Sequence, residues 1–225
     1  MLFDFSGTLF DDGAVLTPAG VCARAAARGV ELDTDRASRI ITHLLAAVES
    51  PEGLAAREGC DRSVEQHGAV WTALMTSAAA GLLPGVAAEV LAESAYACLV
   101  DPESWSPYPD TLGVLAGLHA AGLRLGVVSN IGWDIRPAFD RLGVAELVGS
   151  FALSCERGAV KPEPLLFQYA CRELGVDPER VLFVGDDPAK DGAASRLGMP
   201  VYVLPAQRSR DRPRGLSAVL TLATS

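Results

Sequence analysis

The sequence predicts an α/β protein, a Rossmann-like three-layer core built on a parallel sheet, with an all-helical insertion after the first strand. Three observations carry this expectation. From about residue 110 to the end, helical and extended segments alternate regularly, which is how a parallel sheet covered on both faces reads in sequence. Between about 17 and 100 the pattern is helical throughout, with no strand signal. The chain also opens on a short apolar stretch, Leu2-Phe3-Asp4-Phe5, that breaks at Ser6-Gly7. A core of residues 1–12 and 101–225 carrying a helical domain of residues 13–100 follows from that order. At 225 residues and 49% hydrophobic, the chain can bury a sizeable core.

Each element has its own signal. Thr17-Pro18 is an N-cap followed by proline at the first helical position, and Gly29 closes that helix. Residues 33–48 place Ile40, Ile41, Leu44, Leu45 and Val48 on one helical face. Segments near 62–80 and 85–99 repeat the style, punctuated by Gly81 and Pro84-Gly85. The proline-rich run from Asp101 to Asp110 reads as a hinge. Beyond it, helix 110–121 leads to strand 123–129, helix 134–142 to strand 150–154, helix 163–174 to strand 181–184, and helix 188–197 to strand 201–204, with a last helix near 215–223. Met1 stands three residues before Asp4, so the first strand is expected to be short.

Composition narrows the function. A net charge of −9 argues against a nucleic-acid surface, which needs a basic stripe. The arginines from Arg208 to Arg214 read as a solvated loop. Five scattered cysteines, never spaced as Cys-x-x-Cys, fit free thiols in a reducing compartment. The N-terminus has no signal-peptide pattern and no apolar run is long enough to span a bilayer, so a soluble, cytoplasmic protein without membrane partners is expected. There are only two lysines, Lys161 and Lys190, and one asparagine, Asn130, in a chain rich in arginine. Positions that keep these residues against such a bias are candidates for a specific chemical need.

Four loops concentrate unusual polar residues, and in open parallel sheets ligands bind where such loops leave the strands. They are Asp4-Phe5-Ser6-Gly7-Thr8-Leu9, Val127-Val128-Ser129-Asn130, Lys161-Pro162-Glu163-Pro164, and the run from Val184 to Asp191 that holds Asp186 and Asp187. A carboxylate at a strand end before a Gly-Thr turn is exposed and rigidly aimed, as a nucleophile must be. A serine hydroxyl with loop N–H groups suits a phosphoryl oxygen. A compact ammonium at Lys161 fits where a forked guanidinium does not. Clustered carboxylates repel one another unless a cation joins them, and hard oxygen ligands suit magnesium.

In this order and spacing the four loops resemble the signature motifs of the haloacid dehalogenase-like superfamily, and the insertion falls where that family places its helical cap. The resemblance implies a hydrolase in which Asp4 attacks phosphorus to form an aspartyl-phosphate. Ser129, Asn130 and Lys161 would then bind the phosphoryl group, and Asp4, Asp186 and the backbone carbonyl of Ser6 would hold Mg2+. Asp191 would orient waters or Lys161 from behind. Asp187 is read as a turn cap and Lys190 as an exposed neighbour. The implied substrate is a small phosphorylated metabolite.

One position departs from the family pattern. Its phosphatases usually carry a second aspartate two residues after the nucleophile, as general acid and base, and here Ser6 stands there. Loss of such a group typically costs ~10²–10⁴-fold in rate. Asp11 and Asp12 are read as solvated hinge residues. A 2-haloacid dehalogenase is the alternative, as is a low-turnover phosphate-binding domain. Substrate choice would lie in the cap, among Arg24, Arg28, Arg36, Arg39, Arg57, Arg62, His43 and His67.

Overall fold

The computed structural model describes residues 1–13, 15–205 and 213–224. In chain order the elements are β1 (Leu2–Phe3), β2 (Phe10–Asp11), α1 (Pro18–Ala26), α2 (Thr34–Val48), α3 (Pro51–Arg57), α4 (Val64–Ala80), α5 (Gly85–Leu99) and β3 (Ser106–Pro107). They continue with α6 (Thr111–Ala120), β4 (Leu125–Ser129), α7 (Arg136–Asp140), β5 (Val148–Leu153), α8 (Ser154–Arg157), α9 (Pro164–Leu174), β6 (Phe183–Gly185), β7 (Val201–Val203) and α10 (Ser217–Thr224). The main sheet has the order β5-β4-β1-β6-β7 and every pairing in it is parallel.

Side-chain alternation along the strands builds the layers. Leu2, Val128, Ala152 and Phe183 point to one face, where they pack with Leu166, Phe167 and Ala170 of α9. Phe3, Val127, Leu153 and Val184 point to the other, against Val114, Leu115 and Leu118 of α6, Phe139 of α7 and Val219 of α10. A strand buried on both faces needs apolar residues along its length, which β4 supplies from Leu125 to Val128 before it ends in Ser129. The helices α1, α2, α4 and α5 form a separate apolar cluster around Ile40, Leu44, Met75 and Leu91.

Several details differ from the sequence expectation. The proline-rich hinge forms a strand: β2 and β3 pair antiparallel, Phe10 opposite Pro107 and Asp11 opposite Ser106. Asp11, expected to be solvated, is buried there and accepts the backbone N–H of Gly13 at 3.0 Å. Residues Asp191–Leu197 form a 3-10 turn rather than an α-helix from 188, and Gly192 within it disfavours α geometry. Helix α7 begins late because the Asp134 carboxylate takes the Arg136 N–H. Leu45 does not share the buried face of α2 and is 41% exposed. Arg208, Arg210 and Arg212 lie outside the described residues, but Arg214 is not solvated at all: it is 1% exposed. Among the described residues, no helix is long and apolar enough to cross a membrane.

The helical cap sits on the core through a few defined contacts. Ser154 Oγ donates to the carbonyl of Asp61 at 2.8 Å. Arg62 donates to the carbonyl of Gly158 at 2.8 Å and pairs with Glu163. His67 packs on Gly132, where a Cβ would lie 2.0 Å from the imidazole ring, so only glycine fits that seam.

Candidate active site

The three central strands each end in a polar residue on the same sheet edge. Asp4 follows β1, Ser129 closes β4 and leads into Asn130, and Asp186 follows β6. Because β1 is bonded to both β4 and β6, their termini converge there. The turn after Asp4 is tightened by Gly7, whose φ is +71° and whose absent Cβ would sit 2.4 Å from Asp186 Oδ2. Any side chain at position 7 would displace that carboxylate.

Lys161 enters from the loop before α9 and is buried. Its Nζ lies 2.8 Å from Asp4 Oδ1 and 2.6 Å from Asp191 Oδ1. Asn130 fixes that loop by a pair of hydrogen bonds with the Lys161 backbone. Its Nδ2 donates to the carbonyl at 2.9 Å, and its Oδ1 accepts the N–H at 2.6 Å. The chain's one asparagine therefore acts on the backbone of Lys161. Asp191 is equally structural: its second oxygen accepts the N–H groups of Asp186 and Asp187, both at 3.0 Å. Asp187 caps the following turn through Ala189 and Lys190. Ser129 is buried yet lines the cavity in front of Asp4. Ser6 donates its hydroxyl to Asp12 at 3.4 Å.

The electrostatics are those of crowded carboxylates. One oxygen from each of Asp4, Asp186 and Asp191 falls within 4.8 Å of the others. Burial pushes the Asp4 carboxyl up to about 7, with Asp191 adding to the rise and Lys161 opposing it. Burial and then Asp191 raise Asp186 in the same way, opposed by Arg214. Burial alone would lower the Lys161 ammonium, but Asp4 and Asp191 hold it above the ordinary lysine range. The lysine thus stays charged, and among the described residues the carboxylates outnumber their positive partners.

A family model described as haloacid dehalogenase-like hydrolase matches residues 1–198. The chain belongs to the haloacid dehalogenase-like hydrolases. Among curated relatives it is 38% identical over 96 residues to a glyceraldehyde 3-phosphate phosphatase of Methanopyrus kandleri, covering 41% of each chain. It is 32% identical over 115 residues to a phosphoglycolate phosphatase of Rhodospirillum rubrum, covering 51% of this chain and 48% of that one. It spans about half the length of the curated relatives it matches. A 2-haloacid dehalogenase from Pseudomonas syringae pv. Tomato shares the fold, with a TM-score of 0.61 at 20% identity over 100% of this chain and 98% of that one.

Within this haloacid dehalogenase-like frame the cap residues separate. Arg57, Arg62 and His67 line the cavity that also holds Asp4, Lys161 and Asp186. Arg36, Arg39 and His43 line a different, smaller hollow, and Arg24 and Arg28 pair with Asp101 and Glu93. Sequence reasoning missed one site residue. Arg214 donates through Nε to the carbonyl of Gly7 at 2.5 Å and through Nη1 to that of Pro205, with Nη2 3.7 Å from Asp186 Oδ2. Asp110 holds it there by accepting the N–H groups of Arg214, Gly215 and Leu216, each at 2.8 Å. No local pattern could reveal this, since the partners are more than a hundred residues apart.

Proposed function

We propose that the chain is a Mg2+-dependent phosphatase of small phosphorylated metabolites that works through an aspartyl-phosphate on Asp4. The supporting observation is the strand-end carboxylate of Asp4, paired with Lys161 and facing a second carboxylate, Asp186, within 4.8 Å. Among the described residues, three clustered carboxylates face one lysine and, beyond it, one arginine, so the site favours a further cation. Hard oxygens of this kind fit magnesium. Asp4, Asp186 and the Ser6 carbonyl would hold it, and when bound it supplies positive charge against the phosphoryl oxygens. The phosphatase names of both curated relatives support the same chemistry.

An oxygen of Asp4 bonds to phosphorus as the bond to the leaving oxygen breaks with its electron pair, and the leaving oxygen takes a proton from solvent. A water then adds to phosphorus and returns a proton to solvent, Asp4 departs as a carboxylate, and inorganic phosphate is released. Lys161 neutralises the charge between Asp4 and the phosphoryl group, and Ser129 and Asn130 shape its cradle. Dehalogenation of a 2-haloacid needs no metal and leaves the Asp186 carboxylate without a task. The test is single-turnover labelling with a phosphomonoester and Mg2+. Labelled protein should form and decay in the native chain, fail to form in Asp4→Asn, and fail to form in Asp186→Ala or with a chelator. Hydrolysis that survives Asp4→Asn overturns the covalent route, and hydrolysis of 2-haloacids with a chelator present overturns the phosphatase reading.

A further inference from the structure

The cavity between cap and core has a volume of about 970 Å³ and runs from Asp4 and Lys161 to α2, α3 and α4. It keeps this size with the cap seated, because Asp61, Arg62 and His67 are already in contact with the core. Cavities that house drug-sized ligands span roughly 300–1,000 Å³, so this one lies at the top of that range. A phosphorylated two- or three-carbon acid would leave most of it to water.

The far wall carries the apolar side chains of Leu45, Val48 and Leu54, with Glu49, Arg57 and Glu58 beside them. Leu45 and Leu54 line it and are 41% and 51% exposed, so a good part of each side chain is left uncovered by the described residues. Beside them the Arg57 guanidinium lies 4.6 Å from the centre of the Trp71 ring. Its Nη2 is fixed by the Val48 carbonyl and the Glu49 carboxylate, both at 3.1 Å. A wall already ordered in this way costs no further side-chain entropy when a ligand meets it. Covering Leu45 and Leu54 is favourable only if the ligand brings apolar surface of its own. A stacked guanidinium and indole present the kind of planar surface that a ring packs against.

We infer that the substrate is a phosphomonoester whose organic part is bulky, apolar and ring-bearing, and that it lies against Leu45, Leu54 and the Arg57–Trp71 pair. This rests on the phosphatase reading above, and the test separates the two. Turnover of 1-naphthyl phosphate and of phosphoglycolate is measured with Mg2+ for the native chain and for Leu54→Asp, a substitution at an exposed position that leaves the core untouched. The native chain should show a KM for 1-naphthyl phosphate at least ~10-fold below that for phosphoglycolate. Leu54→Asp should raise the first KM about tenfold more than it raises the phosphoglycolate KM. Equal preference, or no effect of Leu54→Asp, overturns the inference. Trp71, Trp105 and Trp133 all line the cavity, so binding is also read as tryptophan quenching in the Asp4→Asn protein. If neither ester turns over but 1-naphthyl phosphate quenches and Leu54→Asp weakens the effect, the phosphatase reading fails and the apolar wall stands. Absence of quenching overturns the wall as well.

Discussion

Ser6 hydrogen-bonds Asp12 at the position where the family pattern implies a second aspartate, and a serine hydroxyl is a poor proton donor for a leaving group. Ser6→Asp would set a new carboxyl beside Asp12, and repulsion between the two would keep one of them protonated at higher pH. The expected outcome is a rate increase of up to ~10²-fold. It should be large for alkyl phosphates and small for p-nitrophenyl phosphate, whose leaving group needs little protonation. Equal gains on both would point to folding or metal affinity, which calorimetric titration with Mg2+ checks separately. Asp4 makes the opposite kind of test. Its carboxyl is held at about 7 against an ordinary 3.8, so the folded state keeps a proton that the unfolded chain releases, and Asp4 subtracts stability as pH rises through that interval. Asp4→Asn should therefore melt no lower than the native chain at pH 8 while losing all turnover.

At the scale of elements, the segment from Pro213 to α10 belongs to the site although it is remote in sequence. Asp110 seats the segment and Arg214 joins the carbonyl of Gly7 to the carboxylate of Asp186. Arg214→Met leaves the buried carbonyl of Gly7 without its donor, while that of the exposed Pro205 can turn to water, a loss of roughly 1–3 kcal/mol in denaturant titrations. Mg2+ should restore more melting temperature to this variant than to the native chain, because the added cation replaces a lost one. An equal shift in both proteins would reduce Arg214 to a packing role. The contrast with Lys161 explains what was legible in the sequence. Lys161 stands out because a chain that otherwise uses arginine keeps a lysine beside Pro162, and the strand-end positions of Asp4, Ser129 and Asp186 are written in the alternation of elements. Arg214 sits in an arginine-rich run that looks like any polar loop, and its burial comes from three N–H groups meeting one distant carboxylate. The β2–β3 pair was hidden for a similar reason: two residues per strand carry no periodicity, and the prolines around Tyr108 advertise a turn. Leu45 has the spacing of a core residue, and spacing cannot tell a core from a cavity wall.

For the whole molecule, the seam between cap and core contains a buried histidine. His67 is buried against Gly132, with Nδ1 2.9 Å from the Tyr96 hydroxyl and Nε2 3.7 Å from Asp61. Burial lowers its pKa below the ordinary 6.5, outweighing the attraction of Asp61, and Arg57 lowers it further. A histidine depressed in this way leaves the folded seam intact above pH 6.5. Stability is lost as pH falls from 6.5 through the lower folded value, because the open form takes the proton first. Acidification should therefore speed hydrogen exchange at the start of α4 before the central strands respond. His67→Gln should remove this early step. The His67 ring lies 5.5 Å from Trp71, so indole fluorescence reports the same event.

The pairing of Phe10-Asp11 with Ser106-Pro107 has a consequence for how the protein can be altered. Two short strands side by side mean that everything between Asp12 and Trp105 leaves and returns at one doorway. To the sheet, that long excursion is a detour with almost no span, and closing a detour grows costlier only with the logarithm of its length. The doorway is thus a natural graft point, where another insert of quite different size could be spliced without re-registering a single strand of the core. Exchanging the insert while keeping the doorway would give the same aspartate a new choice of molecules.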